Sequence, residues 1–266
     1  MKILIVGING FLGQELNKYF SDRGYDVFGT THDSSKCNEK VFLLKIGDEV
    51  SSNILNNEFD VVIYLAHVYN TDKSDFLIKW YETILLKFKK YTNKQIYISS
   101  YSANKFATSS YGTTKYKIEQ LFIQNNEYAI SPGLIIGKGG IYNKINKFVN
   151  MSPLIVIPIT KDKNLLPIIE IDVLCSIVFQ ISQNKVKQKN YTIYSEMVTL
   201  EDLIKKIISS QKRKKIVFNI NANMLLNVMK LIEAIHIKLP VTSDSLEGFV
   251  GNQKYKISSD ITNFKI

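Results

Sequence analysis

Three glycines near the start, Gly7, Gly10 and Gly13, constrain this chain more than any other feature. They follow Lys2 to Val6, an apolar, β-branched run, and a helical pattern begins behind them. A buried strand that breaks into glycines and re-emerges as a helix is the opening of a dinucleotide-binding βαβ unit. Gly7 permits the tight turn, Gly10 lets the backbone approach a pyrophosphate, and Gly13 lets the helix pack closely on the sheet. Amides at the helix start then face the phosphates, helped by the helix dipole.

Composition narrows the classes. At 266 residues, 45% of them hydrophobic, the chain can bury one large core or a nucleotide domain with a smaller appendage. Cys37 and Cys175 are far apart, so neither a metal-ligand spacing nor a redox pair is present and no metal is expected. A reducing, cytoplasmic setting fits. No apolar stretch is long enough to span a membrane, and the N-terminus enters a strand at once, so neither membrane nor signal peptide is expected. The net charge of +10 does not mark a nucleic-acid binder. Only Arg23 and Arg213 are arginines, the usual bidentate readers of phosphate and guanine. The lysines are spread out in a chain also rich in Asn and Ile, and the dense run Lys212 to Lys215 reads as a solvated helix end. A general attraction for anionic metabolites remains.

The pattern along the chain alternates strand and helix. Strands are expected at Tyr25 to Thr30, Val41 to Leu44, Asp60 to Ala66, Gln95 to Ser99 and Tyr128 to Ile130, the last running into a Ser131-Pro132-Gly133 turn. Asp60 to Ala66 is too continuously apolar for one exposed face and belongs at the centre of a parallel sheet. Helices are expected at Phe11 to Phe20, with Gly24 as a stop, at Asp75 to Tyr91 with Phe76, Trp80, Ile84 and Phe88 apolar, and at Tyr111 to Gln124; Ile54 lies in a short helical link. This alternation gives an α/β fold with a doubly wound parallel sheet. Beyond Gly137 the pattern loosens. Gly139-Gly140 reads as a turn, Tyr142 to Met151 as a helix, and Pro153, Pro158 and Pro167 as breaks in an extended region. Asp172 to Ser182 is a helix, Tyr191 to Tyr194 a strand, and Thr199 caps a helix to Ser209. Asn221 to Ile237 is a longer helix with Leu225, Val228, Ile232 and Ile235 on one side. The expected division is a dinucleotide domain over 1–137 and a smaller C-terminal cap over 138–266, with segments at about 168–195 returning to the main sheet.

Open α/β sheets bind ligands at the carboxyl ends of their strands. The strand QIYIS ends in Ser99 and Ser100, and the next helix carries Tyr111 and Lys115, which share a helix face at i and i+4. An unperturbed tyrosine has a pKa near 10; a neighbouring ammonium favours tyrosinate and lowers it. A serine hydroxyl can hold a substrate oxygen against the phenol. With 15 tyrosines in the chain, the pair gains its meaning from position: strand, Ser-Ser, short loop, Tyr-Gly-Thr-Thr-Lys, helix.

On these residues the chain resembles the extended short-chain dehydrogenase/reductases, of the NAD-dependent epimerase/dehydratase type that acts on nucleotide sugars. The matching stretches are Gly7 to Gly13, Asp60 to Ala66, Ile98-Ser99-Ser100, Tyr111 to Lys115 with Glu119, and Ser131 to Gly137, followed by Leu166 to Asp172. The resemblance implies a Rossmann-type sheet with a smaller C-terminal substrate-binding cap. It implies Tyr111, Lys115 and Ser100 as the catalytic set, with Lys115 also on the nicotinamide ribose. Gly7, Asn9, Gly10, Phe11, Leu12 and Gly13 would form the cofactor loop. Leu65, Ala66, His67 and Ser99 would border the cofactor, and Pro132, Gly133, Leu134 and Ile135 would line the nicotinamide. His67 is given no acid/base role. Ser102, with Ser100, would face substrate, and Tyr142, Asn143, Lys144 and Lys147 would meet the nucleotide diphosphate. The chain departs from the family in a short loop between Ser100 and Tyr111, in Ser131 where an arginine often precedes Pro-Gly, and in Lys79 where an asparagine is usual.

The second strand ends without an acid at Thr31. His32, Ser34 and Lys36, with Ser35, suit a 2′-phosphate, and Asp33 follows one or two residues late; NADP(H) is therefore expected over NAD(H). The implied reaction is reduction of a 4-keto-6-deoxyhexose on a nucleotide diphosphate, dTDP ahead of UDP, GDP or CDP, for a surface polysaccharide. The alternatives are a 4-epimerase with tightly held NAD and a non-catalytic dinucleotide sensor. A homodimer through the helices Asp75 to Tyr91 and Tyr111 to Gln124 is also implied by the family.

Overall fold

The structure is a computed structural model describing residues 1–67, 74–160, 165–183, 188–209, 215–237, 239, 241–253, 255 and 257–266. The first half runs β1 (Lys2–Val6), α1 (Phe11–Ser21), β2 (Asp26–Thr31), β3 (Val41–Leu43), α2 (Ser52–Leu55), β4 (Val61–Tyr64), α3 (Ser74–Phe88), β5 (Lys94–Ile98), α4 (Ser110–Gln124) and β6 (Tyr128–Pro132). The second half continues through β7 (Leu134–Ile136), α5 (Gly140–Met151), β8 (Leu154–Ile159), β9 (Leu165–Glu170), α6 (Ile171–Ser182) and β10 (Asn190–Ile193). It ends with β11 (Glu196–Thr199), α7 (Leu200–Ser209), β12 (Ile216–Asn221), α8 (Ala222–Ala234) and α9 (Ser243–Asn252).

Seven strands form the main sheet in the order β10-β6-β5-β4-β1-β2-β3, every pairing parallel. β4 stands in the middle, as its continuous apolarity requires. Side chains along β1 alternate between two cores. Ile3 and Ile5 face α1 and α6 with Leu16, Phe20, Leu174 and Ile177. Leu4 and Val6 face α3 and α4 with Tyr81, Ile84, Ile118 and Phe122. Both faces are covered, so the sheet is a Rossmann-type layer whose carboxyl ends alone are left for a ligand. Among the described residues no helix is long and apolar enough to cross a membrane.

Several local expectations are corrected. Phe76 is 51% exposed; α3 buries Leu77, Trp80, Tyr81, Ile84, Leu85 and Phe88 instead, because the helix packs on the sheet and on its neighbour α4 and so turns a wider face inward. Pro132 closes β6 rather than opening a turn. Pro158 and Pro167 lie inside β8 and β9. Among the described residues Pro132 pairs with Ile193, Pro158 with Ile220 and Pro167 with Met197. A strand tolerates a missing N–H at its ends and on a sheet edge. Gly140 is already helical, at φ +65°. β11, β12 and α9 were not anticipated. Asn221 is the cap of α8, not its first turn, and of the apolar positions placed on one side Val228 and Ile235 are exposed. Lys212 to Lys214 lie outside the described residues; Lys215 precedes β12 and donates to the carbonyls of Asn150 and Ser152 at 2.8 and 2.9 Å. Thr199 caps α7 as anticipated, its Oγ1 accepting from the Asp202 amide at 3.0 Å.

Candidate active site

The glycine loop closes under tight contacts. Gly7 has φ +96°, and a Cβ there would stand 3.2 Å from the Ala66 amide nitrogen. A Cβ on Gly13 would stand 2.5 Å from Gly7 O and 2.6 Å from Ile8 O, so α1 approaches the strand–turn backbone as closely as two chains can. Gly10 differs: its Cβ would meet only Gly7 O, at 3.3 Å. The first turn of α1 has neither a side-chain cap nor an acidic residue, and the buried Asn9 Nδ2 has no partner among the described residues. An open backbone, a positive helix end and an unpaired donor together fit the diphosphate of a dinucleotide. Phe11 points the other way, with its ring against the backbone of Gly137 and Gly139. Leu12 packs on the main core.

The loop reaches the tyrosine through the end of β4. Leu65 and Ala66 donate to Val6 O at 3.0 and 3.1 Å, and the Tyr81 hydroxyl donates to Ala66 O. His67 follows, its ring edge-on to Tyr111 with centroids 4.9 Å apart. Burial, and then the charge of Lys115, push the His67 imidazolium pKa down to about 3, which favours the neutral ring.

Lys115 is 4% exposed. Its Nζ donates to Ile98 O at 2.7 Å and lies 4.7 Å from the centroid of the Tyr97 ring and 6.0 Å from that of Tyr111. Burial lowers its pKa to about 7, with Glu119 opposing. Glu119, one turn further on α4, is also buried. Its carboxylate accepts from Ser131 Oγ at 2.6 Å and Asn190 Nδ2 at 3.1 Å, and burial raises its pKa. Ser131 thus serves Glu119, at the position where the family often has an arginine. Ser100 lies at the carboxyl end of β5, its Oγ accepting from the Ser102 amide at 3.2 Å. Ser99 is buried and faces Glu119.

The structure therefore brings Ser100, Tyr111 and Lys115 to one end of the sheet beside the Gly7–Ala66–His67 contact. Other expected contacts are placed differently. Ser102 is turned away: its Oγ accepts from Asn252 Nδ2 at 2.9 Å, because α9 covers the short loop after β5. Tyr142 packs on a small cap core of Val149, Ile155, Ile157, Ile204 and Ile207. Asn143 is half-buried, and Lys144 and Lys147 are exposed on α5. Pro132 is buried and Ile135 leans on the main core, while Gly133 holds its backbone against Pro167, where a Cβ would be 2.6 Å from the carbonyl. Leu134 is half-buried on β7. Thr31 is buried, with its Oγ1 accepting from the Asp33 amide at 3.2 Å, while His32, Ser34, Ser35 and Lys36 are exposed at this turn. Glu119, Asn190 and Asp244, which cluster around α4, were not read as functional. Only Glu119 carried a signal, its spacing of four from Lys115.

Residues 3–81 match the NAD dependent epimerase/dehydratase family. No curated protein matches the sequence. Among solved structures the chain is similar to a hypothetical dTDP-4-dehydrorhamnose reductase from Sulfolobus tokodaii, at 18% identity over 100% of each chain with a TM-score of 0.70. A dTDP-4-dehydrorhamnose reductase from Bacillus anthracis in complex with NADP shares 16% identity over 84% of this chain and 85% of that one, TM-score 0.66. MoeE5 in complex with UDP-glucose and NAD shares 12% over 83% and 85%, TM-score 0.67. In its first 81 residues and in its fold, the chain resembles the extended short-chain dehydrogenase/reductases of the NAD dependent epimerase/dehydratase family.

Proposed function

We propose that the chain is an oxidoreductase that uses NADPH to reduce the 4-keto group of a nucleotide-linked 4-keto-6-deoxyhexose, in the supply of a surface-polysaccharide sugar. The observation that carries this reading is the Gly7–Ala66–His67–Tyr111 contact, which sets the open glycine loop against the Ser100, Tyr111 and Lys115 end of the sheet. A bound nicotinamide dinucleotide would supply the hydride. Gly7, Gly10 and Gly13 would hold its diphosphate, with Lys115 on a ribose. Ser100 orients the substrate carbonyl, Tyr111 gives the developing alkoxide its proton, and Lys115 favours the tyrosinate left behind. Lys144 and Lys147, exposed on α5, suit the nucleotide diphosphate. The fold shared with two proteins described as dTDP-4-dehydrorhamnose reductases supports a dTDP-linked substrate.

The test is loss of NADPH absorbance against a panel of nucleotide-linked 4-keto-6-deoxy sugars, with NADH as comparator. Turnover faster with NADPH is expected. Retained NAD in purified protein with no turnover of added NADPH would overturn it in favour of a 4-epimerase. That second reading draws on Asp33. Its carboxyl pKa is lowered by hydrogen bonds from Ser35, and Lys36 Nζ lies 3.8 Å away, so an ionised acid stands beside the groups a 2′-phosphate would use.

Two glycine substitutions should separate binding from folding. Gly10→Ala puts a methyl on the open side of the loop at a permitted φ of −71°. Its thermal midpoint should stay within about 2 °C, the shift of a few tenths of a kcal/mol. Dinucleotide affinity should fall about tenfold or more, the effect of about 1.4 kcal/mol. Gly13→Ala drives a methyl into Gly7 O and Ile8 O and should cost about 2–3 kcal/mol of stability, as overpacking against backbone does. Denaturant unfolding and NADPH titration read the two effects; equal affinity in wild type and Gly10→Ala would refute the loop's role.

A further inference from the structure

We propose that Asp244 is a positioning residue for Tyr111: α9 seats the Asp244 carboxylate on the first turn of α4 and thereby sets where the phenol stands. The inference rests on the reading of Tyr111 as the proton donor.

The two glycine-loop and tyrosine helices begin in opposite ways. The first turn of α1 is left open. The first turn of α4 is filled by the chain itself. Ser109 already caps it, with Oγ accepting from the Gly112 amide at 3.1 Å. Two further amides are then taken by a carboxylate from 133 and 134 residues away: Ser110 N donates to Asp244 Oδ1 at 2.7 Å and Tyr111 N to Asp244 Oδ2 at 3.2 Å. An anion at a helix N-terminus is favourable, and Asp244 takes two amides that the Ser109 cap leaves without an intrahelical partner. The two bonds tie the backbone of Tyr111 to α9.

α9 is itself held on both sides. Thr242 Oγ1 caps it through the Ser245 amide. Towards α8, Lys230 pairs with Glu247 at 3.1 Å and Glu233 accepts from the Ser243 amide at 2.9 Å. Towards the loop after β5 it has no bulk to spare: a Cβ on Gly251 would be 2.7 Å from Thr108 Oγ1, and one on Gly248 3.0 Å from Ser109 Oγ. Asn252 Nδ2 donates to Ser102 Oγ, and Thr108 Oγ1 donates to Glu247 O at 3.5 Å. The segment joining Ser100 to Tyr111 is short, and α9 grips it at Ser102, Thr108, Ser110 and Tyr111. The separation of the carbonyl-orienting hydroxyl from the phenol is thus set by α9 as well as by the loop. A misplacement of this kind, away from the chemistry, acts on kcat.

Asp244→Ala and Asp244→Asn test it in the full chain. Hydrogen exchange should accelerate at Ser110 and Tyr111 in Asp244→Ala, with the amides of α6 unchanged. In turnover of a 4-keto sugar, Asp244→Ala should lose about tenfold in kcat with the KM for NADPH within about twofold, because the glycine loop is on other elements. Asp244→Asn, which keeps an acceptor oxygen, should recover to within about threefold of wild type, by its remaining hydrogen bond. Unchanged exchange at Ser110 and Tyr111, or equal losses in kcat and NADPH affinity, would overturn the proposal. Wild type that reduces none of the sugars would remove the reading of Tyr111 while leaving the exchange result to decide the tie between α9 and α4.

Discussion

Replacing Tyr111 by phenylalanine is expected to lower kcat about a thousandfold, within the range lost with a general acid, while NADPH affinity stays within about twofold. The ring contact with His67 survives the change, so the variant loses an oxygen and little packing. Among the described neighbours none is placed to replace the proton. His67 is held neutral down to about pH 3 by burial and by Lys115, so at neutral pH it has no acidic proton to offer. Lys115 is turned onto Ile98 O. Ser100 offers a hydroxyl that orients but does not acidify. Steady-state reduction of a 4-keto nucleotide sugar, with NADPH titrated separately, checks the split. A Tyr111→Phe enzyme retaining a tenth of wild-type kcat would end the assignment.

Lys115→Met is expected to lose activity at least a hundredfold and to gain stability. The activity argument is that the phenol loses the cation that favours its ionised form. The stability argument follows from burial. The folded-state pKa of Lys115 is depressed from 10.5 to about 7, so the fold disfavours the ammonium. That penalty is fully present below pH 7 and fades as pH rises towards 10.5, since over that interval the unfolded chain binds more protons than the folded one. Each unit of depression corresponds to about 1.4 kcal/mol, and the lost hydrogen bond to Ile98 O and the stranded Glu119 give part of this back. A net gain of about 2 kcal/mol at pH 6, shrinking by pH 9, is expected on that balance. Denaturant unfolding of both proteins at pH 6, 7.5 and 9 reads the combined effect of Lys115 and of His67 and Glu119, whose titration its charge influences. A variant less stable than wild type at pH 6 would contradict it. The same lysine then lowers stability and serves the chemistry, a common arrangement at functional sites.

Much of the central sheet was legible because its signals are local. Four apolar residues before Gly7, the unbroken apolarity around Val62, and the spacing of Tyr111 and Lys115 each follow from backbone geometry within a few residues. The grouping of Tyr111 and Lys115 on one face of α4 after the Ser99-Ser100 strand end was legible for the same reason, although β4 ends at Tyr64, before the expected Ala66. Beyond Gly137 the signals thin out. Pro158 and Pro167 suggest breaks, yet both lie inside strands, paired with Ile220 and Met197. Ser102 looked like a substrate contact because it follows Ser100; its hydroxyl went to Asn252, 150 residues away. Tyr142 looked like a phosphate ligand and became part of the small cap core. Thr242-Ser243-Asp244-Ser245 carries a helix-start pattern, but nothing nearby indicates that Asp244 has partners on α4.

By itself the sequence determined the open glycine loop, a parallel sheet with the Asp60 to Ala66 strand at its centre, and a tyrosine and lysine on one helix face. These depend on φ constraints at glycine and on the helix and strand periods, which act over a handful of residues. Only the tertiary structure decided that Lys115 is buried against Tyr97 and Ile98 and loses basicity. Only it decided that Thr31 is spent inside the fold while Asp33 stands ionised outside it, and that α9 closes the first turn of α4. The Lys115 and α9 contacts join groups 17 to 134 residues apart at hydrogen-bond distance, and the states of Thr31 and Asp33 depend on how much water packing leaves around them. Neither quantity is written in local spacing.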